Sequence, residues 1–218
     1  MKLVIFDVDG TLVDSQQLIF TSMGRGFDAA GLTPPARDRV LSRVGLSLDR
    51  AVSELAPAAG DDAHRRIVAG YRSAYAFGRL TQHPPLYPGA RDCLARLTAR
   101  RDLLLAIATG MSRRGVTAMI EAYGLEGVFV SQQTADDHPS KPAPDMILAA
   151  LSDTGVAAAE SVMIGDTEYD MQMARSAGVT AFGVTWGYHA AEALRAGGAA
   201  QVLPDFAALT DAIEEWAA

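Results

Sequence analysis

The chain has 218 residues, 49% of them hydrophobic and 21% charged, with 10 Pro and 20 Gly, a balance that excludes a disordered or collagen-like chain. Its length suits one domain carrying an insertion, or two small ones. With 19 Lys and Arg against 26 Asp and Glu the net charge is −7, so there is no general electrostatic footprint for a nucleic-acid backbone or an anionic membrane.

Any anion the protein binds must therefore be caught locally. A single cysteine, Cys93, rules out an intramolecular disulfide and a Cys-rich zinc site, and its setting in Ala90-Arg91-Asp92-Cys93-Leu94 reads as a buried, inert thiol on a helix. The apolar start, residues 1–6, is interrupted by Asp7 too soon for a signal peptide, and no apolar run approaches the roughly 18 residues of a membrane span. The expected location is the cytoplasm, with no membrane and no nucleic-acid partner.

The first apolar run, residues 3–6, predicts a buried strand. Directly after it stands Asp7-Val8-Asp9-Gly10-Thr11. Residues two apart in an extended chain share a face, so both carboxylates point the same way at the strand's carboxyl end, and two close carboxylates repel unless a cation accompanies them. Residues 15–85 then show helical spacing (Leu18, Met23 and Phe27; Val40 and Val44; Ile67, Tyr71 and Tyr75) with no convincing strand. We read this stretch as an inserted helical domain, bounded by Asp14-Ser15, a good helix N-cap, and by the stiff His83-Pro84-Pro85.

Beyond residue 85 strand and helix alternate. A helix is predicted over 90–98, a strand over 103–108, a helix over 116–123, a strand over 128–130 and a helix over 145–151, followed by strands over 161–164, 179–184 and 201–203. The fold class implied is α/β, a doubly wound, mostly parallel, Rossmann-like sheet built from residues 1–14 and 86–218. Three more chemical groups fall at its strand ends or loops. Thr109-Gly110 follows one strand just before a helix capped by Ser112, so a hydroxyl, a Gly N–H and a helix N-terminus form a phosphate cradle. Lys141 sits in Ser140-Lys141-Pro142-Ala143-Pro144-Asp145, and it is one of only two lysines, Lys2 being the other, beside 17 arginines. A compact ammonium suits a site that neutralises a phosphoryl oxygen. In Gly165-Asp166-Thr167-Glu168-Tyr169-Asp170, Asp166 ends a strand and Asp170, four residues on, faces the same way; together they complete an oxygen-rich site for a hard cation, Mg²⁺. Open α/β sheets gather ligands at the carboxyl ends of their strands, so all four places can meet in one crevice.

With these residues in hand, the chain resembles the haloacid dehalogenase superfamily of phosphohydrolases, in the helical-cap subgroup of phosphoglycolate phosphatases and β-phosphoglucomutases. Phe6-Asp7-Val8-Asp9-Gly10-Thr11-Leu12-Val13-Asp14-Ser15 looks like the family's first motif, Thr109 its second, Lys141 with the following Pro-Ala-Pro-Asp its third, and the run from Gly165 to Asp170 its fourth. The resemblance implies that Asp7 is the nucleophile and Asp9 the acid and base. It implies Mg²⁺ held by Asp7, the carbonyl of Asp9 and Asp166, phosphoryl oxygens bound by Lys141, Thr109 and the Gly110 N–H, and Asp170 orienting metal-bound water or Lys141. The substrate implied is a small phosphomonoester, hydrolysed through an aspartyl-phosphate.

Asp9 argues against dehalogenation, because dehalogenating members lack an acid at that place. Hexose-phosphate mutases of the subgroup usually carry a His in the first cap helix and a Lys in the cap, and between Asp14 and Pro84 this chain has no Lys, while His64 and His83 lie far from the first cap helix. Receiver domains also combine clustered Asp, Thr and Lys, but a helical insertion of this size is foreign to so compact a module. A catalytically dead interaction protein is the remaining alternative. Arg43 and Arg50 flank a turn containing Ser47, which in similar proteins faces the active site, and these three are expected to read the non-phosphate end of the substrate. Trp186-Gly187-Tyr188-His189 follows a strand, with Trp186 expected to pack.

Overall fold

A computed structural model describes residues 1–81 and 83–218. Six parallel strands form one sheet in the order β3-β2-β1-β4-β5-β6, with β1 Lys2–Phe6, β2 Leu103–Thr109, β3 Ser131–Thr134, β4 Ser161–Gly165, β5 Thr180–Val184 and β6 Gln201–Leu203. Residues alternate strictly between the two faces. Val4 and Phe6 of β1 join Leu105, Ile107 and Ile164 on one side, and Leu3 and Ile5 join Ala106, Ala108 and Met163 on the other. The first face is covered by α5 Ala90–Thr98, α6 Arg113–Tyr123 and α10 Phe206–Trp216, the second by α7 Asp145–Thr154, α8 Glu168–Ser176 and α9 Ala191–Gly197. The sheet is thus wound on both faces, and its order reverses beside β1, between β2 and β4, where such folds open a crevice.

Between β1 and α5 the described residues hold only helices: α1 Gln16–Ala29, α2 Arg37–Leu41, α3 Leu48–Leu55 and α4 Asp61–Thr81. They share their own apolar cluster, built on Ile19, Met23, Phe27, Val40, Val52 and Ile67. The chain segments entering and leaving this group are tied together. Asp14 N donates to Pro85 O at 2.9 Å and Tyr87 N to Leu12 O at 3.0 Å, around an antiparallel pairing of Val13 with Leu86.

Two local expectations need correction. The apolar residues 128–130 form a turn, and the strand lies just beyond them in Ser131–Thr134. Its polar side chains are accommodated by a network in which Ser131 Oγ and Gln133 Nε2 both donate to Asp153 Oδ2 at 2.7 Å, so hydrogen bonds replace apolar burial. Ser15 stands at the N-cap of α1, but its hydroxyl makes no capping bond; it lies 3.0 Å from the Tyr188 hydroxyl instead. Ser112 does cap α6, accepting from Gly115 N at 3.2 Å. Cys93 is buried, and burial pushes its thiol up to about 11, which keeps it protonated and unreactive at neutral pH. No helix among the described residues is long and apolar enough to cross a membrane.

Leu97 on α5 is fully buried against the sheet. Leu97→Ala is expected to cost about 2–5 kcal/mol through lost transfer energy and an unfilled cavity, read as a shift of the urea unfolding midpoint at unchanged m-value.

Candidate active site

The ends of β1, β2 and β4, together with the loop before α7, bring the chemical groups to one place. Asp7 extends β1 by one residue, its N–H donating to Ile164 O at 2.9 Å, and its side chain is buried. The chain then turns back on itself, with Leu12 N and Val13 N both donating to Val8 O and Gly10 N donating to Val13 O. Gly10 takes φ +85° there, and a Cβ would lie 2.3 Å from both Asp166 Oδ2 and the Tyr188 ring, so no other residue fits. Asp9 is half-buried on this turn, and its Oδ1 has no hydrogen-bond partner.

Asp166, at the end of β4, is fixed from two sides: Thr11 Oγ1 donates to its Oδ1 at 2.8 Å and Tyr188 N to its Oδ2 at 2.9 Å. Asp170 forms a capping box with Thr167, taking the Thr167 N–H and hydroxyl on Oδ2. Its Oδ1 accepts from Lys141 Nζ at 2.6 Å. Lys141, wholly buried, also lies 3.0 Å from Asp7 Oδ1. That contact is ionic without hydrogen-bond alignment, so both Asp7 oxygens remain without a hydrogen-bond partner. Thr109, buried at the end of β2, accepts from Met111 N at 3.3 Å and keeps its own proton to donate.

Electrostatically the cluster is unbalanced. One carboxylate oxygen each from Asp7, Asp166 and Asp170 lie within 4.8 Å of one another, facing a single ammonium. Burial, with Lys141 pulling the other way and Asp170 adding repulsion, raises the Asp7 carboxyl above the usual range. Asp166 is raised by burial and then by Asp170 and Asp7. Burial opposes the Lys141 charge, but Asp170 and Asp7 outweigh it and lift the ammonium's pKa. Burial also raises Asp9, against the Ser15 hydroxyl and the positive charges of Arg79 and Lys141. A divalent cation suits this donor set. Asp7 offers one oxygen free of any partner and a second in ionic contact with Lys141, and Asp166 has lone pairs beyond its two hydrogen bonds, whereas both Asp170 oxygens are taken.

In front of the cluster a cavity of about 670 Å³ separates the strand ends from α1–α4. Asp7, Asp9, Thr109 and Gly110 line its base; Lys141, Asp166 and Asp170 lie behind them, outside the lining. The turn between α2 and α3 packs on Gly110, where a Cβ would stand 2.8 Å from Leu46 O. Ser47 lines the cavity and its N–H donates to Ser140 Oγ at 2.8 Å, beside Lys141. Arg43 also lines it but is paired with Glu54 at 2.9 Å. Arg50 lies outside the lining, exposed and bound to the same Glu54 at 3.2 Å. Three cavity residues escaped the sequence reading in this role: Tyr71, Tyr75 and Arg79 of α4. The spacing of Tyr71 and Tyr75 is legible in the sequence, but only as helix periodicity, and Arg79 carries no such signal.

The relatives agree with this architecture. A family model for haloacid dehalogenase-like hydrolases matches residues 4–184. The chain belongs to the haloacid dehalogenase-like hydrolase family. It is 38% identical over 202 residues, 89% of this chain and 85% of the relative, to the "Probable phosphatase IndB" of Dickeya dadantii. It is 31% identical to a phosphoglycolate phosphatase of Agrobacterium fabrum, covering 98% of this chain and 92% of that one. Among solved structures, a hydrolase from Pseudomonas syringae superimposes with a TM-score of 0.89 at 29% identity over the whole of both chains.

Asp170 is the joint between the capping box of α8 and Lys141, so Asp170→Asn, which removes the charge 2.6 Å from the ammonium and cannot accept on both sides, is expected to cost about 3 kcal/mol in chemical denaturation. A loss below about 1 kcal/mol would mean that Asp7 alone compensates Lys141.

Proposed function

We propose that this hydrolase is a phosphatase acting on a small phosphomonoester by way of an aspartyl-phosphate. The observation that carries the reading is Asp7: a buried carboxylate at a strand end, both oxygens without a hydrogen-bond partner, opening on a cavity with an ammonium 3.0 Å away. Mg²⁺, held by Asp7, Asp166 and the backbone of Asp9, would offset the repulsion between a carboxylate and a phosphate dianion. Asp7 attacks phosphorus as the ester P–O bond breaks, and Asp9 delivers its proton to the departing alkoxide. Water then attacks the aspartyl-phosphate, Asp9 takes a proton from it, and inorganic phosphate leaves with Asp7 restored. The raised pKa of Asp9 supports the acid role, since the group must begin protonated.

Lys141, the Thr109 hydroxyl and the Gly110 N–H bind the transferring phosphoryl oxygens. The 15–85 segment acts as a cap on the 1–14 and 86–218 core, and its paired connections at Val13 and Leu86 are the hinge. Arg43 and Ser47 remain candidate contacts for the leaving group, whereas Arg50 has no place in the cavity wall.

Turnover of phosphomonoesters should require Mg²⁺ and vanish in excess EDTA; full activity with chelator would overturn the mechanism. Asp7→Asn should abolish turnover without loss of fold by circular dichroism. Asp9→Asn should slow it roughly 10²- to 10⁴-fold, less for nitrophenyl phosphate, whose leaving group needs little protonation. Lys141→Arg keeps the charge but places a larger, planar guanidinium in a fully buried slot between Asp7 and Asp170, and should fail to restore activity. Activity near wild type in that variant would remove Lys141 from the phosphoryl site.

A further inference from the structure

Resting on the phosphatase reading above, we propose that the leaving group accepted by this cavity carries a flat, uncharged ring that stacks on Tyr71 and Tyr75. The two tyrosines stand one turn apart on α4 and both line the cavity. Their rings are nearly parallel, with centroids 5.6 Å apart and planes inclined by 18°, so they make one aromatic strip. That strip lies within the field of Asp9, the group that would protonate the leaving oxygen. Around it the wall is aliphatic, supplied by Ile19, Met23 and Val44.

The positive groups of the same wall are already engaged or solvated. Arg43 is paired with Glu54 at 2.9 Å, and Arg79 NH1 donates to Gly115 O at 2.9 Å. Arg72, also in the lining, is exposed and 3.7 Å from Asp49, and Arg114 and His83 are exposed. Among the lining residues the cation acting on Asp9 is Arg79, already hydrogen-bonded to Gly115 O, so a short carboxylated leaving group would find no uncommitted cation there. It would also leave most of a 670 Å³ cavity unfilled, whereas a ring covers the tyrosine faces and the aliphatic wall. An aryl group and a nucleoside share this chemistry.

The test compares esters that all leave as primary alkoxides: adenosine 5′-monophosphate, benzyl phosphate, phosphoglycolate and glycerol 3-phosphate. With Mg²⁺ present, kcat/KM should favour a ring-bearing ester, the preferred arm telling nucleoside from aryl. Tyr75→Leu should lower kcat/KM for that ester on the order of tenfold, chiefly through KM, against a clearly smaller loss on phosphoglycolate, and be rescued by Tyr75→Phe. Should Tyr75→Leu fail to fold, Tyr71→Leu carries the same comparison. A preference for phosphoglycolate or glycerol 3-phosphate, or an equal loss on all esters, overturns the inference while leaving the phosphatase reading intact. Calorimetric binding of the four esters to Asp7→Asn protein separates the converse case: if wild type hydrolyses none, tighter binding of the ring-bearing esters preserves ring recognition and discards the hydrolytic reading.

Discussion

Lys141 is wholly buried among acidic groups, 2.6 Å from Asp170 and 3.0 Å from Asp7, and much of the structure follows from the need to make that burial tolerable. An ammonium taken out of water costs several kcal/mol unless it is paired, and its partners carry a similar cost. Asp170 meets part of it by accepting from Thr167 as well, which ties the ion pair to the first turn of α8. Asp166 is likewise held by Thr11 and by the Tyr188 backbone. Of the three carboxylates around Lys141, Asp7 is the one whose side chain has no hydrogen bond, and the cluster sets three acidic groups about one buried ammonium. Such an arrangement is poor as a stability device. It is well suited to receive a cation and the phosphoryl group of a substrate, each of which relieves what the other introduces.

Sheet topology decides where this charge collects. Because β1 lies at the centre, flanked by β2 and β4, the residues just past three strand ends meet: Asp7, Thr109 and Asp166. The same centrality makes the β1 interior apolar on both faces, so the run before Asp7 carries no polar relief. Residues that leave this position must turn sharply, and the Val8–Val13 turn with Gly10 against Asp166 does so while delivering the chain to α1.

The sequence announced this much of the fold because buried parallel strands read as continuous apolar runs and because the acidic motifs follow them directly. The four outer placements, Asp7, Thr109, Lys141 and Asp166, were legible as residues at strand ends or in a loop before a helix, and the structure brings them together. β3 was misplaced because its inward side chains are Ser131 and Gln133, satisfied by Asp153, and polar burial of this kind leaves no hydrophobic signature. Ser15 misled for a related reason: a hydroxyl at an N-cap position had a tertiary partner, Tyr188, 173 residues away. Arg43 and Arg50 both flank the turn that in similar proteins faces the active site, yet Glu54 binds both and of the two Arg43 alone lines the cavity. Arg50–Glu54 is a local i,i+4 pair within α3, open to a sequence reading, whereas the reach of Arg43 to the same Glu54 depends on the packing of the turn against α3 and is not.

The helices over the site do more than cover it. Loop residues 42–47 are fastened to the core through Ser47 N to Ser140 Oγ, Tyr169 Oη to Ser42 O and the close approach of Leu46 O to Gly110, so the roof contacts the loops that carry Lys141 and Gly110. α4 reaches the other side, where Arg79 holds the first turn of α6. Asp9 sits between, half-buried, with its carboxyl raised by burial and drawn back by Arg79 from α4 as well as by Lys141 from the core. The protonation of this residue is therefore shared between the two parts of the chain. A displacement of α4 would withdraw Arg79 from Gly115 and open Asp9 to water, and if Asp9 is the acid proposed above it would change both the fit of the leaving group and the acid's strength. Under the proposed mechanism, substrate enclosure and acid strength would thus be coupled through one helix, since α4 carries both Arg79 and part of the cavity wall.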